Sequence, residues 1–487
     1  MTKKTKNLVL FLVIPLLILL AAFLIVWFIL PSDTFDPCDY NQDGLVDERE
    51  DLVCQRKPIV SPVEKIVDET LHRYGRGEEF ITYVESEGIG DIAVLIDIPE
   101  NPRYPEGAPI VFDVSTWFAG LVGFHDKFDA TAIGAININH LWPGNCDPRL
   151  DVCSEGENDY GGPDSIASLR DAIRFATGLI PNTDGFYIEE LLEVTPLLDN
   201  VGLYASSHSG VVATNVLAYY GSEFPTVKYF IGRENPTLPQ MYPLEIGHWD
   251  EQHHPVQNPF YNPDGYTRDS IEVDYSTVCW IQNAEYPEGR PCHELANGDK
   301  YILDDKGPNM WGKRYFSAEL TQALLDTGSL TLDNWPEDLA TPEETVEVWP
   351  YRTAANHYSL LKKELPDDFK VMIVFSYDDH VQVALDRPHI HQAYDGFYKT
   401  AGVDWVRLNP DLVYAQQLDS SFQAGLFSDN TANTEPTDWS DSKSWGHPYN
   451  GTTIEPMSQA SMAEMCDRVQ FGEWSENLDE VLWSYEF

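Results

Sequence analysis

From about residue 90 the chain alternates short apolar runs with stretches of helical periodicity, and this alternation restricts it to a small set of folds. The runs at 92–99, 109–115, 132–142, 201–206, 227–232, 370–376 and 404–410 are rich in β-branched and aromatic residues, as strands are. Helices lie between several of them. In 165–178 the residues Ile166, Leu169, Ala172, Ile173 and Ala176 fall on one stripe, and Gly178 is suited to ending the helix. Strands joined through helices lie parallel and are covered on both faces, so the expected class is α/β, a mostly parallel central sheet flanked by helices.

The composition allows such a core. With 43% apolar and only 23% charged residues over 487 positions, the chain can bury a large interior and is not a disordered polymer. Its formal net charge of −48 repels a phosphate backbone, which excludes nucleic acid as a partner.

Residues 8–30 are an uninterrupted apolar run, long enough at about 1.5 Å per residue to cross a bilayer. A cleaved signal peptide is the competing reading, but this run is too long for one and no small-x-small cleavage site follows it. Lys3, Lys4 and Lys6 are the only charges before Asp33, so the N-terminus is expected in the cytoplasm and the rest outside it, single-pass in the cell membrane. Six of the seven cysteines fall into local pairs that read as disulfides of an oxidising compartment: Cys38 with Cys54, Cys146 with Cys153, and Cys279 with Cys292. Cys466 is left over.

Between anchor and main domain, Asp39-x-Asn41-x-Asp43-Gly44-x-x-Asp47-x-x-Glu50 carries oxygen donors at positions 1, 3, 5, 9 and 12 of a twelve-residue loop, with glycine at position 6. Leu45 would supply the backbone carbonyl at position 7. The segment resembles the calcium loops of EF-hands and of dockerin modules, although a dockerin carries two such repeats and only one is found. One structural Ca²⁺ is expected there, clamped by a Cys38–Cys54 bridge, and no cofactor is expected in the chemistry.

At residues 201–221 a strand passes through a cluster of small residues straight into a helix. A nucleophile on so sharp a turn takes a strained backbone conformation and needs small neighbours two residues before and two after it. Around Ser207 these are Ala205 and Ser209. The segment Ala205-Ser206-Ser207-His208-Ser209-Gly210 resembles the G-x-S-x-G-G nucleophile elbow of the α/β-hydrolases, with Ala and Ser in place of the framing glycines. Alternative registers place His208 or Ser209 at the tip.

The resemblance implies an acid and then a histidine later in the chain. The acid falls after the run at 370–376, at Asp379, with Asp378 as the alternative register; His447 is the only histidine after the last strand. The oxyanion donors would be the backbone N–H of His208 and one in the loop after 109–115, at Ser115 or Thr116. A Ser207–His447–Asp379 triad would cleave an ester or peptide bond through an acyl-enzyme.

Other histidines read as non-catalytic. The cluster His248, His253 and His254 lacks the helical HExxH spacing of a zinc site, His389 and His391 at a helix start read as surface or interface residues, and His380 reads as a local charge partner or rim residue.

The implied organisation is 1–32 anchor, 33–58 calcium loop and stalk, 59–233 first part of the hydrolase, 234–352 cap or lid, and 353–487 second part. A different class, a non-catalytic calcium-stabilised surface-binding protein on the same scaffold, stands beside the enzyme reading.

Overall fold

The computed structural model describes Tyr74 and residues 76–474, except 115–122, 125–127, 236, 238–242, 251–253, 268–269, 304–308, 376–378, 380–382, 385, 412–413, 415–431 and 434–453. The apolar run at 8–30, the calcium loop and the Cys38/Cys54 pair therefore lie outside the described residues.

Eight strands form the central sheet: β1 (Arg76–Ser86), β2 (Gly90–Pro99), β3 (Ala108–Val114), β4 (Ile136–His140), β5 (Pro196–Ser206), β6 (Val227–Arg233), β7 (Lys370–Val374) and β8 (Val406–Leu408). Their spatial order is β1-β2-β4-β3-β5-β6-β7-β8. β2 pairs antiparallel with both β1 and β4, and every other pairing is parallel. This is the sheet the alternation implies. The described helices used below are α1 (Pro163–Ala176), α2 (Ser209–Tyr220), α3 (Ala318–Asp326), α4 (Pro342–Val348), α5 (Tyr358–Glu364), α6 (Pro388–Asp395) and α7 (Ile454–Phe471).

The pleat divides the core in two. Ile110, Phe112, Leu203, Phe230 and Ile373 point to the face covered by α1, α2, α5 and α6. Val111, Tyr204, Tyr229, Ile231, Met372 and Val374 point to the other, where Met457, Ala460 and Met462 of α7 meet them. Gly202 marks one tight point, since a Cβ there would stand 1.9 Å from the Tyr229 ring.

Two expectations change at the sheet's first half. β1 was not among the apolar runs, because it is an edge strand whose first five residues, Arg76 to Phe80, are exposed or half-buried and include two glutamates. The run at 132–142 yields a strand only at 136–140. Residues Ala130–Ile133 form instead a 3₁₀ turn, capped by the Asp129 carboxylate and ended by Gly134 at φ 77°.

Between β6 and α5 lies a region of short antiparallel pairs: Gly247–Trp249 with Pro255–Gln257, Tyr261–Thr267 with Ser270–Val273, and a three-stranded set Val278–Ile281, Arg290–Glu294 and Lys300–Ile302. The pair Asn309–Met310 with Lys313–Arg314, and the helices α3 and α4, also lie there. The disulfides Cys146–Cys153 and Cys279–Cys292 each join directly opposed residues of an antiparallel pair. Cys466 is free and buried.

Candidate active site

The strands β5, β6, β7 and β8 end at one edge of the sheet, and three of those ends are built alike. The residue after β5 is Ser207, after β6 Glu234 and after β8 Asn409, and their φ angles are 57°, 47° and 61°. Each donates its backbone N–H to a carbonyl at the end of the neighbouring strand: Ser207 to Arg233 at 2.7 Å, Glu234 to Val374 at 2.9 Å and Asn409 to Ile373 at 2.8 Å. The left-handed conformation costs a residue with a Cβ about 1–3 kcal/mol and persists only where its surroundings over-determine it. Here the extra ladder bond is one such constraint.

At Ser207 there are more. Asn235 donates from Nδ2 to the carbonyls of Ser207 at 2.8 Å, Arg233 at 3.0 Å and Ala205 at 3.3 Å. Gly210 donates its N–H to the Ser207 carbonyl at 3.0 Å. The Ser209 hydroxyl bridges back to Ser206, donating to its carbonyl at 2.6 Å and accepting its N–H at 3.1 Å. The glycine at 210 is required by Asn235, because a Cβ would lie 2.0 Å from the Asn235 Cγ. The turn thus holds Ser207 half-buried between buried neighbours on both sides. Its hydroxyl lies 3.5 Å from His208 Nδ1. His208 stands at the N-cap of α2, the helix end whose backbone N–H groups and dipole favour a developing negative charge.

Beneath the turn is a buried ion pair with no counterpart in the sequence reading. Arg233 donates to the Ser206 hydroxyl at 2.9 Å and to the Glu234 carboxylate at 2.7 Å, and both side chains are almost fully buried. A charged dipeptide closing an apolar strand of a parallel sheet must be paired, and that was the available signal. Asn235 carries no such signal, since its role depends on which strand end it meets.

Asp379 lies five residues beyond β7, with its side chain 1% exposed. Its carbonyl accepts the Trp249 indole N–H at 3.0 Å. Its carboxylate Oδ2 lies 2.8 Å from Nε2 of His389, which is fully buried in the first turn of α6. The two atoms are at ion-pair distance but not aligned as a hydrogen bond. Of the surface or interface reading of His389, the surface part is therefore corrected: Pro388 starts the helix as expected, but the histidine is fully buried against Asp379. His391 is half-buried, 3.8 Å from Asp395. His254 is exposed and pairs with Asp250, while His248 reaches the Tyr301 hydroxyl at 3.2 Å. No three potential metal ligands cluster among the described residues.

Ser207 and His208 thus follow the end of β5, and Asp379 lies five residues beyond β7, against Trp249 and His389. Ser115, Thr116, Asp378, His380 and His447 lie outside the described residues, as do the calcium-loop residues Asp39, Asn41, Asp43, Leu45, Asp47 and Glu50.

No protein-family model matches the chain, and no curated protein does. Solved structures do. One of two fungal esterases from Rhizomucor miehei aligns over 74% of this chain and 84% of its own, at 13% identity and TM-score 0.36. Prolyl oligopeptidase B from Galerina marginata aligns over 80% of this chain and 36% of its own, at 10% identity and TM-score 0.35. For an esterase of the archaeon Pyrobaculum calidifontis the values are 38%, 54%, 14% and 0.24, so the chain spans about half of that protein's length. The fold assignment rests on the chain's own strand order and on the left-handed turn between β5 and α2: this is the α/β-hydrolase fold, with a mostly parallel sheet flanked by helices.

Proposed function

We propose that the protein is a serine hydrolase that cleaves an ester or peptide bond, with Ser207 as nucleophile. The observation that carries this reading is the left-handed Ser207 between β5 and α2, half-buried and braced by Asn235 and Gly210. A strained turn bearing a hydroxyl above the sheet is what a nucleophile elbow requires.

His447 takes the Ser207 proton as Oγ attacks the carbonyl carbon, and Asp379 fixes the imidazole tautomer and offsets its charge. The carbonyl oxygen becomes an oxyanion, to which the His208 N–H and the loop after β3 at Ser115 donate. Collapse expels the alcohol or amine, which takes the proton from His447 and leaves the acyl group on Ser207. Water then attacks, with His447 again accepting the proton, and releases the acid. Each oxyanion donor contributes about 3–4 kcal/mol to lowering the barrier. The region between β6 and α5 acts as the cap that selects substrates.

Residues 8–30 anchor the protein in the cell membrane with the catalytic domain outside the cytoplasm, and the loop from Asp39 to Glu50 holds one structural Ca²⁺. Asp39→Ala with Glu50→Ala should abolish calcium binding in titration calorimetry while leaving turnover intact.

The test of the reaction is labelling of the full chain with a fluorophosphonate, followed by mass mapping. Label on Ser207, lost in Ser207→Ala, is expected. A folded protein that takes no label overturns the reading. Asp378→Asn and Asp379→Asn, assayed separately, choose the acid, and full activity in the Asp379 variant overturns its assignment.

A further inference from the structure

We infer that His389 is a positioning residue for Asp379, holding the acid of the triad in place from the interior of the fold. The inference rests on the hydrolase reading above and deepens it.

Asp379 sits at the start of a loop that spans 379–387 and ends in α6. A carboxylate that is 1% exposed has lost nearly all its hydration, and an ionised one is sustained only by close positive or donating groups. His389 Nε2, itself fully buried, stands 2.8 Å from that carboxylate, at ion-pair distance. The backbone is shaped to bring the two together. Arg387 takes a left-handed φ of 48°, its guanidinium donates to the Ala384 carbonyl at 3.1 Å, and Pro388 then starts the helix, so that His389 falls in the first turn.

The loop is also fastened from outside. Trp249 donates to the Asp379 carbonyl, and the Tyr261 hydroxyl donates to the Asp386 carboxylate at 2.6 Å. α6 is tied to the segment after β6 by a 2.8 Å bond from the Thr237 hydroxyl to Gln392. His389 therefore stands on an element whose position is fixed relative to β6, whose last carbonyl receives the Ser207 N–H. His389 touches neither the nucleophile nor substrate in this arrangement. It acts by keeping the Asp379 carboxylate from turning away from the imidazole it must orient, and a misplacement of about 1 Å in such a group costs up to roughly 100-fold in rate.

The test measures fluorophosphonate inactivation of the full chain, separating the maximal rate from the probe concentration at half-maximum. His389→Leu is expected to slow the maximal rate about 10–100-fold with the half-maximal concentration unchanged. His389→Gln, which keeps a polar group near the Nε2 position, recovers most of that loss. In the Asp379→Asn background His389→Leu has no further effect on rate, because the group it positions is gone. Thermal melts of all variants report folding, and if His389→Leu does not fold, the comparison of His389→Gln in the two Asp379 backgrounds decides. Wild-type labelling on Ser207 with an unaffected rate in His389→Leu overturns the inference and leaves the hydrolase reading intact, as does a rate loss that adds fully to that of Asp379→Asn. A wild-type protein that takes no label on Ser207 overturns both.

Discussion

Replacing Gly210 by alanine should be harmful or harmless depending on one neighbour. The added methyl carbon would lie 2.0 Å from Cγ, 2.2 Å from Nδ2 and 2.3 Å from Oδ1 of Asn235. Carbon atoms rest at about 3.5–4.0 Å, so the amide must move by about 1.5 Å or more. That movement takes Nδ2 away from the carbonyls of Ser207, Arg233 and Ala205. An NH₂ group has two protons, so two good bonds are lost; the Ser207 and Arg233 carbonyls keep the N–H bonds of Gly210 and Ser207, so each loss costs the net value of one hydrogen bond, about 0.5–1.5 kcal/mol. Alanine returns at most about 1 kcal/mol through its helix propensity. Gly210→Ala should therefore destabilise the fold by roughly 1–2 kcal/mol, read as a shift in the urea midpoint at constant m. It should also slow fluorophosphonate labelling, because the amide it displaces is one of the two donors that brace the Ser207 carbonyl. In Asn235→Ala the bonds are already absent and the space is open, so adding Gly210→Ala should be neutral or slightly stabilising. The cycle predicts a change of sign. An equal cost of Gly210→Ala in both backgrounds would refute the clash as its cause.

Three further outcomes follow from buried polar groups. Asn409→Ala removes the acceptor of the Phe375 N–H at 2.9 Å and places a poorer left-handed residue at φ 61°, so a loss of about 2–3 kcal/mol is expected in denaturant melts. Burial, opposed by bonds from Tyr275 and Ser317, raises the Glu245 carboxyl from 4.5 to about 8. Between those values the unfolded chain has released a proton that the folded one retains, so this group's contribution to stability is full below pH 4.5 and lost as pH rises toward 8. Glu245→Gln should remove that decline, and the gap between the two stability profiles should widen to the order of 4 kcal/mol at pH 8, whereas parallel profiles would contradict it. Burial also pushes the Cys466 thiol up to about 12, so maleimide should modify Cys466 only after unfolding, while non-reducing peptide maps show Cys146 joined to Cys153 and Cys279 to Cys292.

What could be read from the sequence was what repeats at short range. β3, β5, β6 and β7 are buried over most of their length and so announce themselves as apolar runs, as do the stripe of α1 and the small residues around Ser207. β1 did not, because a half-exposed edge strand holding Glu78 and Glu79 has the composition of a loop. The antiparallel pairs between β6 and α5 are two to seven residues long, too short to show a period, and the sequence reading left that region without a fold. His389 shows a different limit. Its place at a helix start was legible from Pro388, but its burial against Asp379, ten residues earlier in the chain, is a tertiary contact that no local pattern carries. The same holds for Asn235, whose three acceptors come from two strand ends and a turn.

The rim formed by Ser207, Glu234 and Asn409 explains why reactive geometry gathers at this edge and not along the strands. A parallel strand that simply stops leaves backbone groups without partners, and helix starts nearby compete for the same space. Turning left-handed lets each strand make one more ladder bond and then leave the sheet at once, so that the next residues rise above it. The cost of about 1–3 kcal/mol at each site is tolerable because each is answered by several fixed contacts, among them the Arg233–Glu234 pair beneath Ser206 and the Asn409 side chain under Phe375. A serine hydroxyl set on such a rim needs no further rearrangement to meet a substrate from above. The strain at Ser207 is thus one member of a shared construction, and weakening the Arg233–Glu234 pair should be felt at Ser207 through Arg233, the residue bonded to both Ser206 and Ser207.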